Sequence, residues 1–393
     1  MNFHEFSQLS AAHLAAQPAV RPFAASISPD ALHDLERRLE MVRWPDPGPV
    51  NDWSQGVPVK RLRRLVERWR HGYSWARAEA KLNALPQFVT AIDGVDIHFI
   101  HVRSPHDDAL PIMLTHGSPG SVFEFLDAVA ALTDPMAYGG TAGQAFHVVI
   151  ASLPGYGFSA QPSEGWGTGR VAAAWSTLMA RLGYTNWVAH GGGLGAEVTA
   201  RLAAQQAPGL AAIHMIAPPI AAPTLDPQGD PLEHAEALAY HAATADQFAY
   251  LKLQQTRPQT LGYALADSPL AQAAWMYEKL CAWSGYTCIA EPPRMRDAFL
   301  DSISLYWLTG TGAGAARIYA ESAGAGLATS SIKVPVAIVS YPREPARIAR
   351  RWAEDNYPTL HCWSEAAAGG QCPALEDPMY FAAELRHAFT TIR

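Results

Sequence analysis

Three turns rich in Gly or Pro each follow a short apolar run, and they gather most of the side chains that could do chemistry. They are His116-Gly117-Ser118-Pro119-Gly120-Ser121, Gly191-Gly192-Gly193-Leu194-Gly195 and Tyr341-Pro342-Arg343-Glu344. The second sits in 187-WVAHGGGLGAEVTARL-202, whose strand, sharp turn and helix layout is the one that presents a nucleophile with small residues two positions to either side. Its centre, Gly193, has no side chain, and Leu194 cannot attack carbon. A Gly-rich turn after a strand also binds phosphate or simply makes a tight corner. Glu344, His190 and His116 are candidate proton acceptors near these turns. Turn histidines are more often hydrogen-bonded fixtures than bases, and Glu344 could be held by Arg347 in a salt bridge. Cys372 has no base placed beside it and reads as a buried, inert thiol.

The elements that must position these turns are legible in the hydrophobic pattern. Residues 29–43 put Leu32, Leu35, Leu39 and Val42 on one helical face, and Trp44-Pro45-Asp46-Pro47 stops the helix. A second amphipathic stretch, 59–85, carries Leu62, Leu65, Val66 and Trp69 at the same spacing, and its basic face is broken by acids and reads as solvated surface. From residue 88 alternating residues flank Asp93-Gly94, a β-hairpin signal. The apolar runs ALPIMLTHG, AFHVVIASLPG and NWVAHGG then alternate with helical stretches. That pattern predicts a parallel sheet covered on both faces, with ligands at the carboxyl ends of its strands. Residues 218–322 interrupt it with Pro-rich and amphipathic segments that read as a helical insertion, and VPVAIVSYPRE and TLHCWSEAAAGG restore it before a final helix from about Asp377 to Thr391.

Composition narrows the function. The 393 residues are 49% hydrophobic and 17% charged with a net charge of −7, enough to bury a large core and without a polybasic stripe for nucleic acid or anionic lipid. No apolar run approaches eighteen residues, and the first twenty lack the pattern of a secretory leader. Cys281, Cys288, Cys362 and Cys372 lack the spacing of a zinc site and are expected as free thiols in a cytoplasmic protein, with no metal.

Whole segments carry a closer likeness. RPFAASISPDALHDLERRLEMVRWPDP, LPIMLTHGSPGSVFEFLDAV, SLPGYGFSAQP, QQTRPQTLGYALADSP, LYWLTGTGAGAARIYAES and GGQCPALEDP resemble the microsomal-type epoxide hydrolases over roughly residues 20–390. The resemblance implies an α/β-hydrolase fold, class α/β, with a mostly parallel sheet flanked by helices. Its parts would be an N-terminal region over 1–105 wrapping the core, core segments over 106–217 and 323–393, and a helical cap over 218–322. It also implies covalent chemistry: an elbow Asp attacks the epoxide, two cap tyrosines protonate the leaving oxygen, and a His–acid pair activates water to hydrolyse the ester. Tyr250 and Tyr319 match the tyrosines and Glu344 the acid. The family's Asp falls on Gly193, the Trp after it on Leu194, its His on Gln371, and the Trp of its HGWPG turn on Ser118.

Without the Asp and the His, ester formation and its hydrolysis are expected to be lost. An epoxide can still open if the substrate brings its own hydroxyl, giving a cyclic ether in a biosynthetic pathway. The protein would fold the substrate for attack and hold Tyr250 and Tyr319 on the oxygen. Gln371 keeps a hydrogen-bonding group where an imidazole is usual, without proton exchange. The alternatives are a non-catalytic binding protein and hydrolysis by direct water attack. The expected partner is a hydrophobic epoxide or hydroxy-epoxide, with no cofactor, nucleic acid or membrane, and a homodimer is allowed.

Overall fold

The computed structural model describes residues 20–228, 230–285 and 292–392. The first nineteen residues, which bear on the leader question, lie outside this set, as does Cys288.

Asp93 and Gly94 both take positive φ, 50° and 80°, and so close the two-residue hairpin that the sequence predicts. It joins β2 (Gln87–Ile92) to β3 (Val95–Val102), with Ile92 opposite Val95. β1 (Val20–Phe23) pairs antiparallel with β2. β3 in turn pairs antiparallel with β5 (Phe146–Ala151), so this hairpin becomes one edge of a larger sheet. The other strands are β4 (Leu110–Thr115), β6 (Trp187–Gly192), β7 (Leu210–Ile216), β8 (Val336–Ser340) and β9 (Leu360–Glu365). Among the described residues nine strands form one sheet in the order β1-β2-β3-β5-β4-β6-β7-β8-β9, parallel from β5 onward. β4, β5 and β6 are buried along their whole length. That is why they read as unbroken apolar runs: helices cover both faces, leaving no side of the strand for polar residues.

The helices Thr168–Arg181 and Leu194–Ala204 pack on one face through Trp175, Leu178, Val198 and Leu202. Phe381, Leu385 and Phe389 from the C-terminal end cover the other with Phe125 and Val129. Between β7 and β8 the described residues form six helices, from Pro231–Gln247 to Gly312–Ser322, where the sequence predicts a helical insertion.

The N-terminal helices are built largely as their spacing predicts, with two differences: the first ends at Glu40 and leaves Val42 outside it, and the second stretch is divided. Pro29–Glu40 is capped by Ser28, whose hydroxyl accepts from the Ala31 N–H, and it buries Leu35 and Leu39. The stretch over 59–85 is two helices, Val59–His71 and Trp75–Asn83, because the first ends at Gly72. Leu62, Leu65, Val66 and Trp69 are buried. Trp69 and Arg68 grip the insertion: the indole N–H donates to Ser304 Oγ at 2.9 Å, and the guanidinium donates to both Asp297 oxygens at 2.8 and 2.7 Å.

One described cysteine differs from the expectation. Cys362 and Cys372 are free, but Cys281 is disulfide-bonded, which removes the argument for a reducing compartment. No described helix is long and apolar enough to cross a membrane, and no cluster of metal-ligating side chains occurs among the described residues.

Candidate active site

The sharp turn after β6 places Gly193 at φ 53° and ψ −113°, a conformation costly for any residue with a Cβ. The small residues beside it are forced by contact. A Cβ on Gly191 would lie 2.1 Å from the Gly195 carbonyl oxygen, and one on Gly195 would lie 2.2 Å from that of Thr115. The turn is therefore a nucleophile elbow in its backbone as well as its layout. The 116–121 turn packs against it: a Cβ on Gly117 would meet the Gly192 carbonyl at 2.9 Å and the Leu194 nitrogen at 4.0 Å. That Leu194 nitrogen opens the following helix, where amides lack intrahelical acceptors and point at developing negative charge.

What fills the place of the absent side chain is Gln371. Its Nε2 lies 2.1 Å from where a Cβ on Gly193 would be, so the amide occupies the volume a nucleophile would use. The Gln371 main chain is fixed by its N–H bond to the Trp283 carbonyl at 2.7 Å, while its side-chain oxygen has no partner among the described residues.

Above this pair lies a cavity of about 490 Å³ lined by Ser118, Gly193, Leu194 and Gln371 at its floor and by Tyr250 and Tyr319 from the inserted helices. Pro218, Phe248, Leu251 and Ile348 make its walls apolar, and the volume suits a small organic ligand. The two phenol rings meet edge to face, 6.2 Å between centroids at 89°. Tyr250 also packs on Trp283 at 5.3 Å, with the Lys279 ammonium 5.1 Å from its ring. Burial first, then the charge of Tyr319, holds Tyr250 well above the usual phenol range. Burial pushes Tyr319 up to about 12 against the opposing hydrogen bond from Ser118. Both stay protonated at neutral pH and can donate to an oxygen in the cavity.

Comparison with known proteins fits this architecture. Residues 20–125 match the model of the epoxide hydrolase N terminus. A Stigmatella aurantiaca protein that carries an epoxide hydrolase name is 50% identical over 381 residues, spanning 95% of this chain and 86% of that one. Epoxide hydrolase 1 of Oryctolagus cuniculus is 30% identical, with 93% and 88% covered. The chain belongs to the epoxide hydrolase family. The epoxide hydrolase structure from Aspergillus niger superposes with a TM-score of 0.85 at 29% identity, covering 96% of this chain and 98% of that one. The α/β-hydrolase fold expected from the sequence is thus the fold of its relatives.

Within this epoxide hydrolase framework the structure removes both histidines as bases. His190 lies inside β6 and faces the core, with Nδ1 2.9 Å from Nδ1 of His214 and its ring between Phe125 and Phe381. Burial, then the His214 charge, holds it well below the usual imidazole range. The strand's alternation, which sends every second side chain away from the turn, decides this. His116 has both nitrogens engaged: Nε2 accepts from the Leu153 N–H at 3.2 Å, so Nδ1 carries the proton and donates to the Gly117 carbonyl at 2.7 Å. Its ring braces the turn, and burial depresses it to about 4.

Glu344 sits where its turn places it but not in the cavity. One oxygen accepts from the Tyr341 N–H at 2.7 Å and the other has no partner among the described residues. It borders clefts lined by Trp53 and Trp283 on one side and Trp352 on the other. Arg347 pairs with Glu365 at 3.6 Å, and the alternative salt bridge to Glu344 is not formed, although the Arg347 charge still opposes part of the burial effect on Glu344. Burial raises Glu344 to about 8. Burial, with Glu124 and Glu376 nearby, pushes the Cys372 thiol well above its usual range, which leaves it inert.

Sequence reasoning missed three carboxyls. Glu124 and Glu376 are buried near Gln371 and raised by burial to about 8 and about 7. Glu197 lines the cavity itself. Its signal was present, four residues beyond Gly193 in the elbow helix and so on the same face.

Proposed function

We propose that this epoxide hydrolase relative opens an epoxide without a covalent intermediate, using the substrate's own hydroxyl as nucleophile to form a cyclic ether in a biosynthetic pathway. The observation that carries the reading is the pairing at the cavity floor: Gln371 Nε2 fills the nucleophile's place at Gly193, 2.1 Å from its Cβ position, while Tyr250 and Tyr319 converge above it. Neither Gly193 nor Gln371 can form or hydrolyse an ester, and both phenols can donate to the ring oxygen as it takes negative charge. Folding a flexible hydroxy-epoxide so that its oxygen lies in line with the epoxide carbon can contribute as much as about 7–11 kcal/mol in favourable intramolecular systems. The apolar walls supply that shape. They also limit water, which competes with the hydroxyl.

The test offers the purified protein a panel of hydroxy-epoxides in ¹⁸O-labelled water. An unlabelled isomer is the expected product. A labelled diol means direct water attack, and unchanged substrate with measurable affinity means a binding protein; either result overturns the reading. Tyr319→Phe and Tyr250→Phe should each lower the ring-closure rate by roughly 10²–10⁴-fold, the usual range for a positioned general acid.

A further inference from the structure

Ring closure needs a group to take the hydroxyl proton, and the placement of His190, His116 and Glu344 leaves that role open. We propose that Glu197 is the proton acceptor, a carboxylate set one helical turn beyond the elbow centre; this rests on the ring-closure reading above.

Three observations support the assignment. First, Glu197 is the only carboxylate among the described residues that line the 490 Å³ cavity, which it shares with Gly193, Tyr250 and Tyr319. Its N–H bonds to the Gly193 carbonyl at 3.1 Å, the normal i to i+4 link, and Cβ positions so related lie about 5–6 Å apart on one face. A hydroxyl held over the elbow is within reach of a glutamate side chain at that spacing. Second, the carboxylate is held by one oxygen only. Oε1 accepts from Thr168 Oγ1 at 2.7 Å and from Arg201 Nη2 and Nε at 3.0 and 3.2 Å. None of the described residues donates to Oε2. Arg201 is anchored in turn on the Ala325 and Gly326 carbonyls, at 2.6 and 3.4 Å, and both of those residues line the cavity. Third, Glu197 is close enough to Tyr319 for its negative charge to help raise that phenol.

The proximity closes the proton cycle. The substrate O–H bond breaks and its proton passes to Glu197 Oε2. The new C–O bond forms as the epoxide C–O bond breaks, and the released alkoxide takes the Tyr319 proton. Glu197 then returns its proton to the Tyr319 phenolate. Substrate and product are isomers, so no co-reactant is needed.

Glu197→Gln keeps the size of the side chain and can still accept from Thr168 and Arg201. It is expected to lower kcat by at least 10²-fold with little change in KM. Glu197→Asp should restore part of the rate, while replacing a purely structural glutamate would lower stability without this selective loss of kcat. Hexylamine provides a readout independent of turnover, since its ammonium can pair with a cavity carboxylate while its chain fills the apolar part. Its affinity should fall at least tenfold in Glu197→Gln, and that of hexanol far less. If the parent forms ether and Glu197→Gln forms it equally fast, the assignment fails and ring closure stands. If the parent forms no ether but hexylamine still discriminates, the carboxylate faces the cavity as inferred and ring closure falls. If neither effect appears, both are overturned.

Discussion

Placing a methyl group on the elbow separates two costs that the structure predicts to be coupled. Gly193→Ala puts a Cβ on a residue at φ 53°, and a side chain in left-handed backbone costs about 1–2 kcal/mol. The same Cβ falls 2.1 Å from Gln371 Nε2, the mobile end of a side chain beside a 490 Å³ cavity. The amide can swing aside, and leaving its rotamer costs about 0.5–1.5 kcal/mol. The single substitution should therefore destabilise by about 2–3 kcal/mol. In a Gln371→Ala background only the backbone cost remains, so a double-mutant cycle should return a coupling of about 1 kcal/mol, above the roughly 0.3–0.5 kcal/mol scatter of independent sites. Equilibrium urea unfolding measures it from the midpoints, provided the m-values agree. A coupling below about 0.3 kcal/mol would show that Gln371 does not fill the elbow, and the central observation of the proposed mechanism would go with it.

Glu124, Glu344 and Glu376, raised by burial to about 8, about 8 and about 7, bind protons in the folded chain that the unfolded chain has lost above about 4.5. Their stabilisation is complete below that point and is lost as pH rises from there to the folded values of 7 to 8, so stability should fall between about pH 4.5 and 8, by up to about 1.4 kcal/mol per pH unit for each group, and level off above; Glu344→Gln should flatten the fall, and a pH-independent urea midpoint contradicts this. His190→Gln preserves a partner for His214 and should leave kcat within about twofold while lowering stability by about 1–3 kcal/mol through lost packing; loss of turnover in a folded protein would reinstate His190 as a base. Trp69→Phe removes the bond to buried Ser304 and should cost about 1–2 kcal/mol, read from urea unfolding, with no change in the spectrum of products.

The sheet was legible because burial on both sides imposes a pattern that other elements do not share. β4, β5 and β6 had to be apolar throughout, and Asp93-Gly94 had to close a hairpin. The elbow was legible for a similar reason, since a Cβ on Gly191 or Gly195 would fall 2.1 or 2.2 Å from a carbonyl oxygen, a clash that no other residue tolerates. The direction of a side chain is a different matter. His190 adjoins the elbow in sequence yet points into the core, because one residue along a strand reverses the face. Which oxygen of Glu197 is engaged depends on Thr168 and Arg201, the first from a separate helix, and so does its availability. The position of Glu344 behind Pro345 depends on how the 341–344 turn meets the inserted helices, a tertiary fact with no local signature. Gly72 ended a helix that the hydrophobic spacing alone would have continued.

The N-terminal segment has a double attachment with a consequence for how this protein can be taken apart. The chain over 20–102 completes the sheet through the pairing of β3 with β5, and it also clamps the Pro293–Leu308 helix through Arg68 and Trp69. Deleting it would uncover the fully buried β5 as an open, apolar margin, a template for aggregation, and at the same stroke release the roof that carries the tyrosines over the floor. The roof is thus not a portable module. Grafting residues 231–322 onto another member of the fold would transplant half a joint, and the graft would need its N-terminal helices to travel with it.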